Sequence, residues 1–396
     1  MIYIIVIFLL LFLSFRYDIN RKTRYRDESY LVVLVILIMI AGFRYRLGID
    51  TTRYITRFYY DTPVLSELTW NDLDFGTDPL YTLFNSIVLT LGGKFYVVQL
   101  LHATFVNTLI FKYIKKHTEA IFISVFIYFI YQYAAMNMEE MRASMSLVLC
   151  LFANDCILDR KWIKGLLLYA IGCFFHASTI LVMIMPLFFF LRLNKVGVCF
   201  LFSFFVLGIA IRPFINELLL FMEMGDNDVV FQKVERYSMR EDHMEGHLNI
   251  LGYLSYAVIC GYAILPLWFI KHDKIHGSLK RLEPLLLLFV AFSLLSMGIP
   301  IFYRYVRFYV LYYILFISEF IIFILKEDSK IKRGLVFVRA LVIMFPLFFL
   351  IIKGRLNEEI WVRYHPYASV FDQELNEKRE KLYSLFLGDR PVPEKY

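Results

Sequence analysis

The sequence is organised as long, unbroken apolar runs that are separated by short gaps rich in lysine and arginine. The runs cover about 2–15, 30–43, 79–91, 95–111, 120–137, 143–158, 165–191, 196–211, 250–270, 284–303, 308–325 and 334–352. Only helices and closed barrels satisfy every backbone amide inside lipid, and these runs do not alternate as barrel strands do. A crossing helix needs about 17–25 residues, so we predict an all-α, polytopic transmembrane bundle of roughly 11–13 membrane helices, with one or more short or re-entrant.

The composition excludes several other classes of protein. Hydrophobic residues make up 59% of the chain, against about 45–50% in a soluble domain. The net charge is +7, but the basic residues lie in short gaps and not on a foldable soluble surface, so we expect no binding of nucleic acid. All five cysteines fall inside apolar runs, where they are typical of small buried residues and not of a disulfide framework. The expected environment is the lipid bilayer.

The basic gaps predict the orientation, because short cytoplasmic loops are enriched in lysine and arginine. The gaps at 16–28, 112–116, 160–164, 271–281 and 326–333 are the basic ones and are expected to be cytoplasmic. They can share one side only under two conditions. The run at 165–191 must form two short crossings with an outer turn near His176, and the run at 79–91 must not cross.

The apolar runs and the basic gaps also divide the chain into a membrane domain and a tail. We predict a polytopic membrane domain at 1–352 and a C-terminal tail at 353–396. The N-terminus, the loops at 44–78 and 212–249, and by parity the tail, are expected on the outer side.

Arginines stand beside aromatic residues at the outer ends of three predicted helices. The segments are Gly42–Asp50 with Arg53 and Tyr54, Met138–Arg142, and Tyr303–Tyr309. Arginine at a helix N-terminus opposes the helix dipole, so a negative group is expected nearby. Helix-start amides and guanidinium forks together form a phosphate site. The convergence of such groups on one side therefore predicts an anion-binding site on the outer face.

Each group of arginines also has a simpler explanation. The alternatives are pairing of Arg142 with Glu139, pairing of Arg44 and Arg46 with Asp50, and interfacial anchoring by Arg304 and Arg307. His176 is either a hydrogen-bonded core residue or a group that moves protons near neutral pH. His243 and His247 are spaced as zinc ligands on a helix, but Gly246 lies between them. We therefore predict no metal site, and nothing in the sequence calls for a cofactor.

Several short motifs occur in one order along nearly the whole chain. They are Gly42–Asp50 with Tyr54, Asp78–Tyr81, Arg142–Met145, Phe175–Ser178, Arg304-Tyr305 and Pro366-Tyr367. In this combination the chain resembles the EpsG-type exopolysaccharide polymerases, which are relatives of the Wzy O-antigen polymerases. It departs from them at Met138–Met141, where an Asn-x-x-Arg-Gln helix start is expected, and so the resemblance gives Glu139 and Glu140 no role.

The resemblance implies a glycosyltransferase of the bacterial inner membrane, with its active site facing the periplasm or exterior. It would polymerise oligosaccharide repeat units carried on undecaprenyl pyrophosphate into exopolysaccharide, capsule or O-antigen. Chain-length regulators and flippases are the candidate protein partners. The catalytic residues would be Arg44, Arg142, His176 and Arg304, and the substrate-binding residues Arg46, Asp50, Tyr54, Tyr305 and Arg307.

Two other kinds of function stay open at this point. The first is a repeat-unit flippase or another transporter, in which ionisable groups lie near the bilayer midplane. The second is a different enzyme, either a glycan ligase or a membrane acyltransferase. The charges of this chain gather at the outer edge of the predicted bundle, which favours an enzyme over a transporter.

Overall fold

The computed structural model describes residues 2–73, 78–211, 258–261, 263–264, 277–296, 302–326 and 358–387. Within these ranges the chain is almost entirely helical and contains no strand. The all-α prediction is confirmed. The predicted outer loop at 212–249 and the apolar run at 334–352 lie outside the described residues, and the run at 250–270 lies mostly outside them.

The described helices are numbered in chain order. They are α1 (Ile2–Leu13), α2 (Arg26–Gly42), α3 (Ile49–Thr56), α4 (Pro79–Thr90), α5 (Phe95–His117), α6 (Ile121–Tyr128), α7 (Met141–Leu158), α8 (Trp162–Phe175), α9 (Thr179–Ile184), α10 (Lys195–Ile211), α11 (Gly277–Lys280), α12 (Glu283–Ser296), α13 (Tyr303–Lys326), α14 (Glu358–Tyr364) and α15 (Glu377–Leu387). π-Helical turns extend α1, α3 and α6, the last of them ending at Glu139.

Among the described residues, four helical segments are long and apolar enough to cross a membrane. They are Ile2–Ile19, Phe95–His117, Met141–Leu158 and Tyr303–Leu325. Shorter apolar helices accompany them at Ile121–Tyr133, Trp162–Phe175, Thr179–Phe188, Lys195–Gly208 and Glu283–Ser296. This is the helix content of a multi-pass membrane protein.

The chain forms two compact units. The first contains Met1–Pro186 and Ile351–Tyr396, and the second contains Leu187–Leu350. The C-terminal tail thus belongs to the same unit as the first nine helices. In the second unit α12 packs between α10 and α13, and Phe289 stacks on Tyr313 with ring centroids 4.6 Å apart.

Buried amides and hydroxyls join the central helices of the first unit. Asn107 on α5 donates a hydrogen bond to Asn137 at 2.7 Å, and Tyr128 on α6 donates to Asn107 at 3.0 Å. Such bonds between helices replace the water that is missing inside a bilayer. They fix the π-helical extension of α6 at Asn137, two residues before Glu139, and so they position the segment that leads into α7.

Ion pairs gather at one end of the first unit, here called the basic end. Asp155 near the end of α7 accepts hydrogen bonds from Lys116 at 2.5 Å and His117 at 2.8 Å. Lys115 pairs with Asp27 at 2.9 Å. The basic gaps at 16–28, 112–116 and 160–164 therefore share one end of the unit, as the count of basic residues predicts.

The first unit shows the break near His176 that this arrangement needs. α8 ends at Phe175, His176 has an extended backbone with φ −158°, and α9 begins at Thr179. α4 has 12 residues, which is about 18 Å of helix against a hydrocarbon core of about 30 Å. The Leu65 amide in the preceding loop donates to Thr90 at 2.8 Å, so α4 ends beside that loop. That α8 and α9 cross and α4 does not stays a prediction.

The C-terminal segment lies at the other end of the first unit, here called the loop end. The amide of Tyr45 donates to the carbonyl of Ala368 at 2.8 Å, and the amide of Val370 donates to the carbonyl of Phe43 at 2.9 Å. Arg379 is buried and donates to the carbonyls of Val362 at 2.9 Å and Pro366 at 2.5 Å. The tail and the loop after α2 therefore lie together.

This pairing predicts the outcome of a topology experiment. A tag inserted after Asp61 and a tag after the last residue should be accessible from the same side of the membrane, and a tag after Arg160 from the opposite side. The count of basic residues places the first two outside. Thiol labelling of single-cysteine variants in intact cells and in opened vesicles measures this. Opposite sides for Asp61 and the C-terminus would contradict the contact between tail and loop.

Candidate active site

Asp78 lies at the centre of a polar cluster at the start of α4. Its carboxylate forms an ion pair with Arg142 and lies 3.6 Å from Nδ1 of His176. It also accepts a hydrogen bond from the amide of Ala177 at 3.3 Å. Burial alone would raise the pKa of Asp78, but His176 and Arg142 outweigh it, and the pKa lies below its ordinary value. Asp78 is therefore a carboxylate at neutral pH that holds a guanidinium and an imidazole side by side.

The local sequence explains the position of this carboxylate. Asp78 precedes α4 with a left-handed backbone, φ +57°, and Pro79 begins the helix. Aspartate tolerates that conformation better than most residues, and proline is favoured in the first turn. The Asp-Pro pair is thus a helix start that turns the carboxylate away from its own helix. The sequence reading includes Asp78 in a motif but assigns it no role.

Arg142 stands in the first turn of α7 between Asp78 and an aromatic ring. Its guanidinium carbon is 5.6 Å from the centroid of Tyr54, and its side chain is 31% exposed. The structure pairs Arg142 with Asp78 and not with Glu139, which was the alternative partner. Arg142 is thus held in place and still reachable, as a residue that binds an anion must be.

Arg57 supplies further positive charge beside Arg142. It donates to the hydroxyl of Thr82 on α4 at 2.9 Å. Partial burial and the nearby charge of Arg142 lower the pKa of Arg57 from its ordinary value. An anion placed between these two guanidinium groups would relieve their repulsion. No motif marks Arg57 in the sequence, and only the packing of α3 against α4 shows it.

Arg44 and Arg46 have different surroundings from Arg142. Arg44 is fully buried and donates to the carbonyl of Ala41 at 2.5 Å and the hydroxyl of Thr51 at 3.4 Å. Arg46 forms an ion pair with Glu380 of the tail. Neither forms the alternative pair with Asp50, which pairs with Arg53 at 3.4 Å. Arg44 thus ties α2 to α3, and Arg46 ties the loop to the tail.

A second carboxylate group lies at the same end. One oxygen of Glu139 accepts the hydroxyl of Tyr364 on α14 at 2.8 Å, and the other lies 3.4 Å from the amide of Asp50. Burial and the charge of Asp50 raise the pKa of Glu139 above its ordinary value. Glu139 is partly buried. The contact with Tyr364 is one that no local sequence pattern indicates.

Arg304, Tyr305 and Arg307 begin α13 in the second unit. The guanidinium carbon of Arg307 lies 4.9 Å from the ring centroid of Tyr303, and Tyr305 stacks on Phe292 at 5.6 Å. The arginines lie in the first turns of a helix, as the sequence predicts. That they act together with Arg142 of the first unit stays a prediction.

Comparison with known families identifies the chain. A model of the EpsG family matches residues 29–377, a range that contains Asp78, Arg142 and His176. The chain belongs to the EpsG family. No curated protein and no solved structure matches it. The EpsG family is associated with polymerase and glycosyltransferase activity in exopolysaccharide synthesis and with lipid-linked oligosaccharides in a membrane. In this EpsG-family chain, the arginine-bearing start of α7 lies within the matched range.

Proposed function

We propose that the protein is a membrane glycosyltransferase that polymerises oligosaccharide repeat units linked to undecaprenyl pyrophosphate. The product would be an exopolysaccharide, a capsule or an O-antigen. The observation that carries this proposal is the guanidinium of Arg142, held by buried Asp78 beside His176 at the loop end of an EpsG-family bundle. Such a bundle is open to lipid along its sides and to water at its ends, which suits a substrate with a lipid tail and a sugar head.

The chemistry follows from the leaving group. The hydroxyl oxygen of one lipid-linked unit bonds to the anomeric carbon of the other, and the bond from that carbon to the pyrophosphate oxygen breaks. Undecaprenyl pyrophosphate departs with the electron pair. Negative charge therefore grows on the phosphate oxygen, and a fixed guanidinium stabilises it without having to reorganise. Arg142 is placed for this role, with Arg57 beside it.

The remaining predicted residues take supporting roles in the proposal. Arg44 is completely buried. This favours a role in positioning α3 and α7 over a direct contact with the substrate. Arg46 orders the loop after α2 through its ion pair with Glu380. Tyr54 lies against Arg142, and Asp50 contacts Glu139. For Arg304, Arg307 and Tyr305 we keep the substrate-facing roles that the sequence predicts, a positive charge and an aromatic surface at a helix start. The active site would face the periplasm or exterior of a bacterial inner membrane, where chain-length regulators and flippases would be its neighbours.

His176 has two possible roles in this scheme. Its Nδ1 faces Asp78 at 3.6 Å, which leaves Nε2 for the substrate. It can act as a base toward the acceptor hydroxyl, or as a neutral hydrogen-bond donor to the sugar or phosphate. Replacement by glutamine keeps a donor and removes the base, so it separates the two roles.

The function is tested by deleting the gene and analysing the lipid-linked glycans. We expect single repeat units on the outer face and no long chains, and complementation with the wild-type gene should restore the chains. Units trapped on the inner face would instead indicate a flippase. Long chains that stay on the lipid carrier would indicate a ligase. Either result would contradict the polymerase proposal.

A further inference from the structure

Glu139 lies just before the start of α7 and has different partners from Arg142. It is the last residue of the π-helical turn that extends α6 and stands three residues before Arg142. Its two oxygens are oriented by the hydroxyl of Tyr364 and the amide of Asp50. A carboxylate held by two donors from different elements, and still partly exposed, has a fixed direction and access to a ligand.

Glu139 and Arg142 contact the same helix, α3. Glu139 contacts the backbone of Asp50, and Arg142 lies over the ring of Tyr54. Asp50 and Tyr54 are four residues apart on the same face of α3, which corresponds to about 6 Å along its axis. The carboxylate and the guanidinium therefore contact α3 about one helical turn apart.

The two sides of the site differ in charge. Arg142 and His176 both face Asp78, and this is the side that would hold the phosphate. The titratable and charged groups that face Glu139 are Asp50 on α3, Arg363 and Tyr364 on α14 and Tyr383 on α15. In a single displacement the attacking hydroxyl and the departing phosphate lie on opposite faces of the anomeric carbon. With the phosphate bound by Arg142 and His176, the hydroxyl would approach from the side of Glu139.

We propose that Glu139 is the general base that accepts the proton of the attacking sugar hydroxyl. This inference rests on the proposed polymerase function. The hydroxyl oxygen bonds to the anomeric carbon as its proton passes to the carboxylate of Glu139, and the electron pair of the broken bond leaves on the pyrophosphate. His176 then serves as a hydrogen-bond donor on the phosphate side. Asp50 and Tyr364 are positioning residues for Glu139.

The test uses the full-length protein, purified in detergent, with the lipid-linked repeat unit as substrate. We expect Glu139→Gln to lower kcat by at least about 100-fold, in the range of general-base catalysis, with KM changed by less than about threefold. His176→Gln should retain activity within about tenfold. Glu67→Gln removes an exposed carboxylate of the loop before α4 and should leave the rate unchanged.

Two further measurements separate a base from a structural residue. The wild-type rate should fall as the pH is lowered, because Glu139 must be unprotonated to act, and the residual rate of Glu139→Gln should lack this fall. Formate should restore part of the activity of Glu139→Ala, which a purely structural role would not allow. Retained kcat in Glu139→Gln, or a loss that lies in KM alone, would overturn the inference. Failure of the wild-type protein to form polymer would instead refute the proposed function.

Discussion

Replacing Arg142 with alanine should lower the rate of polymerisation by about 10²–10³-fold, the usual cost of removing one donor to a developing negative charge. The guanidinium is fixed by Asp78 and by the ring of Tyr54, so it meets the developing charge without having to reorganise. The measurement is kcat for chain elongation by purified protein. Arg160→Ala is the matched control, because Arg160 is exposed and follows the opposite end of α7.

The geometry of Arg142 matters as well as its charge. Arg142→Lys should recover little of the lost rate, because an ammonium group lacks the planar fork that binds two oxygens at once. Asp78→Asn should lower the rate too, since it removes the charge that holds Arg142 and His176 together. Full activity in Arg142→Lys would show that only bulk charge matters. Full activity in Arg142→Ala would remove Arg142 from the mechanism.

Gly48→Ala should destabilise the protein strongly and abolish activity. Gly48 has φ +93°, and a Cβ at this position would collide with the backbone carbonyl of Met138. The left-handed backbone costs an L-residue about 1–2 kcal/mol, and forcing an atom into a packed site costs about 1–3 kcal/mol more. The sum is a large part of a stability that is typically about 5–15 kcal/mol. The collision would also push apart the segments that carry Asp50 and Glu139.

A second glycine provides the control for this prediction. Gly92 has φ +72°, but a Cβ there would meet nothing within 4 Å. Gly92→Ala should therefore show the backbone cost alone and lower Tm much less than Gly48→Ala. The measurement is thermal unfolding of both variants in the same detergent, with the yield of monodisperse protein from the membrane as a second readout. Equal losses in the two variants would contradict the collision with Met138.

Much of the architecture follows from local patterns in the chain. Runs of apolar residues determine which segments are helices, because a backbone in lipid has no other way to satisfy its amides. The break at His176 and the shortness of α4 follow from the length of the runs and the charge of the gaps. Arginines at the starts of α7 and α13 are also visible in the sequence. These features depend on neighbours within about 20 residues, the length of one membrane helix.

The tertiary structure alone decided which polar residues meet. Asp78 and Arg142 are 64 residues apart, and Arg46 and Glu380 are 334 apart, so no local pattern joins them. The sequence reading takes Arg44 and Arg142 as catalytic cations and Arg46 as a substrate-binding one, whereas packing buries Arg44, pairs Arg46 with the tail and leaves Arg142 within reach of a ligand. The same packing brings the hydroxyl of Tyr364 to the carboxylate of Glu139. Hydrophobic pattern and charge are properties of a segment, but the partner of a buried polar group depends on how distant helices pack.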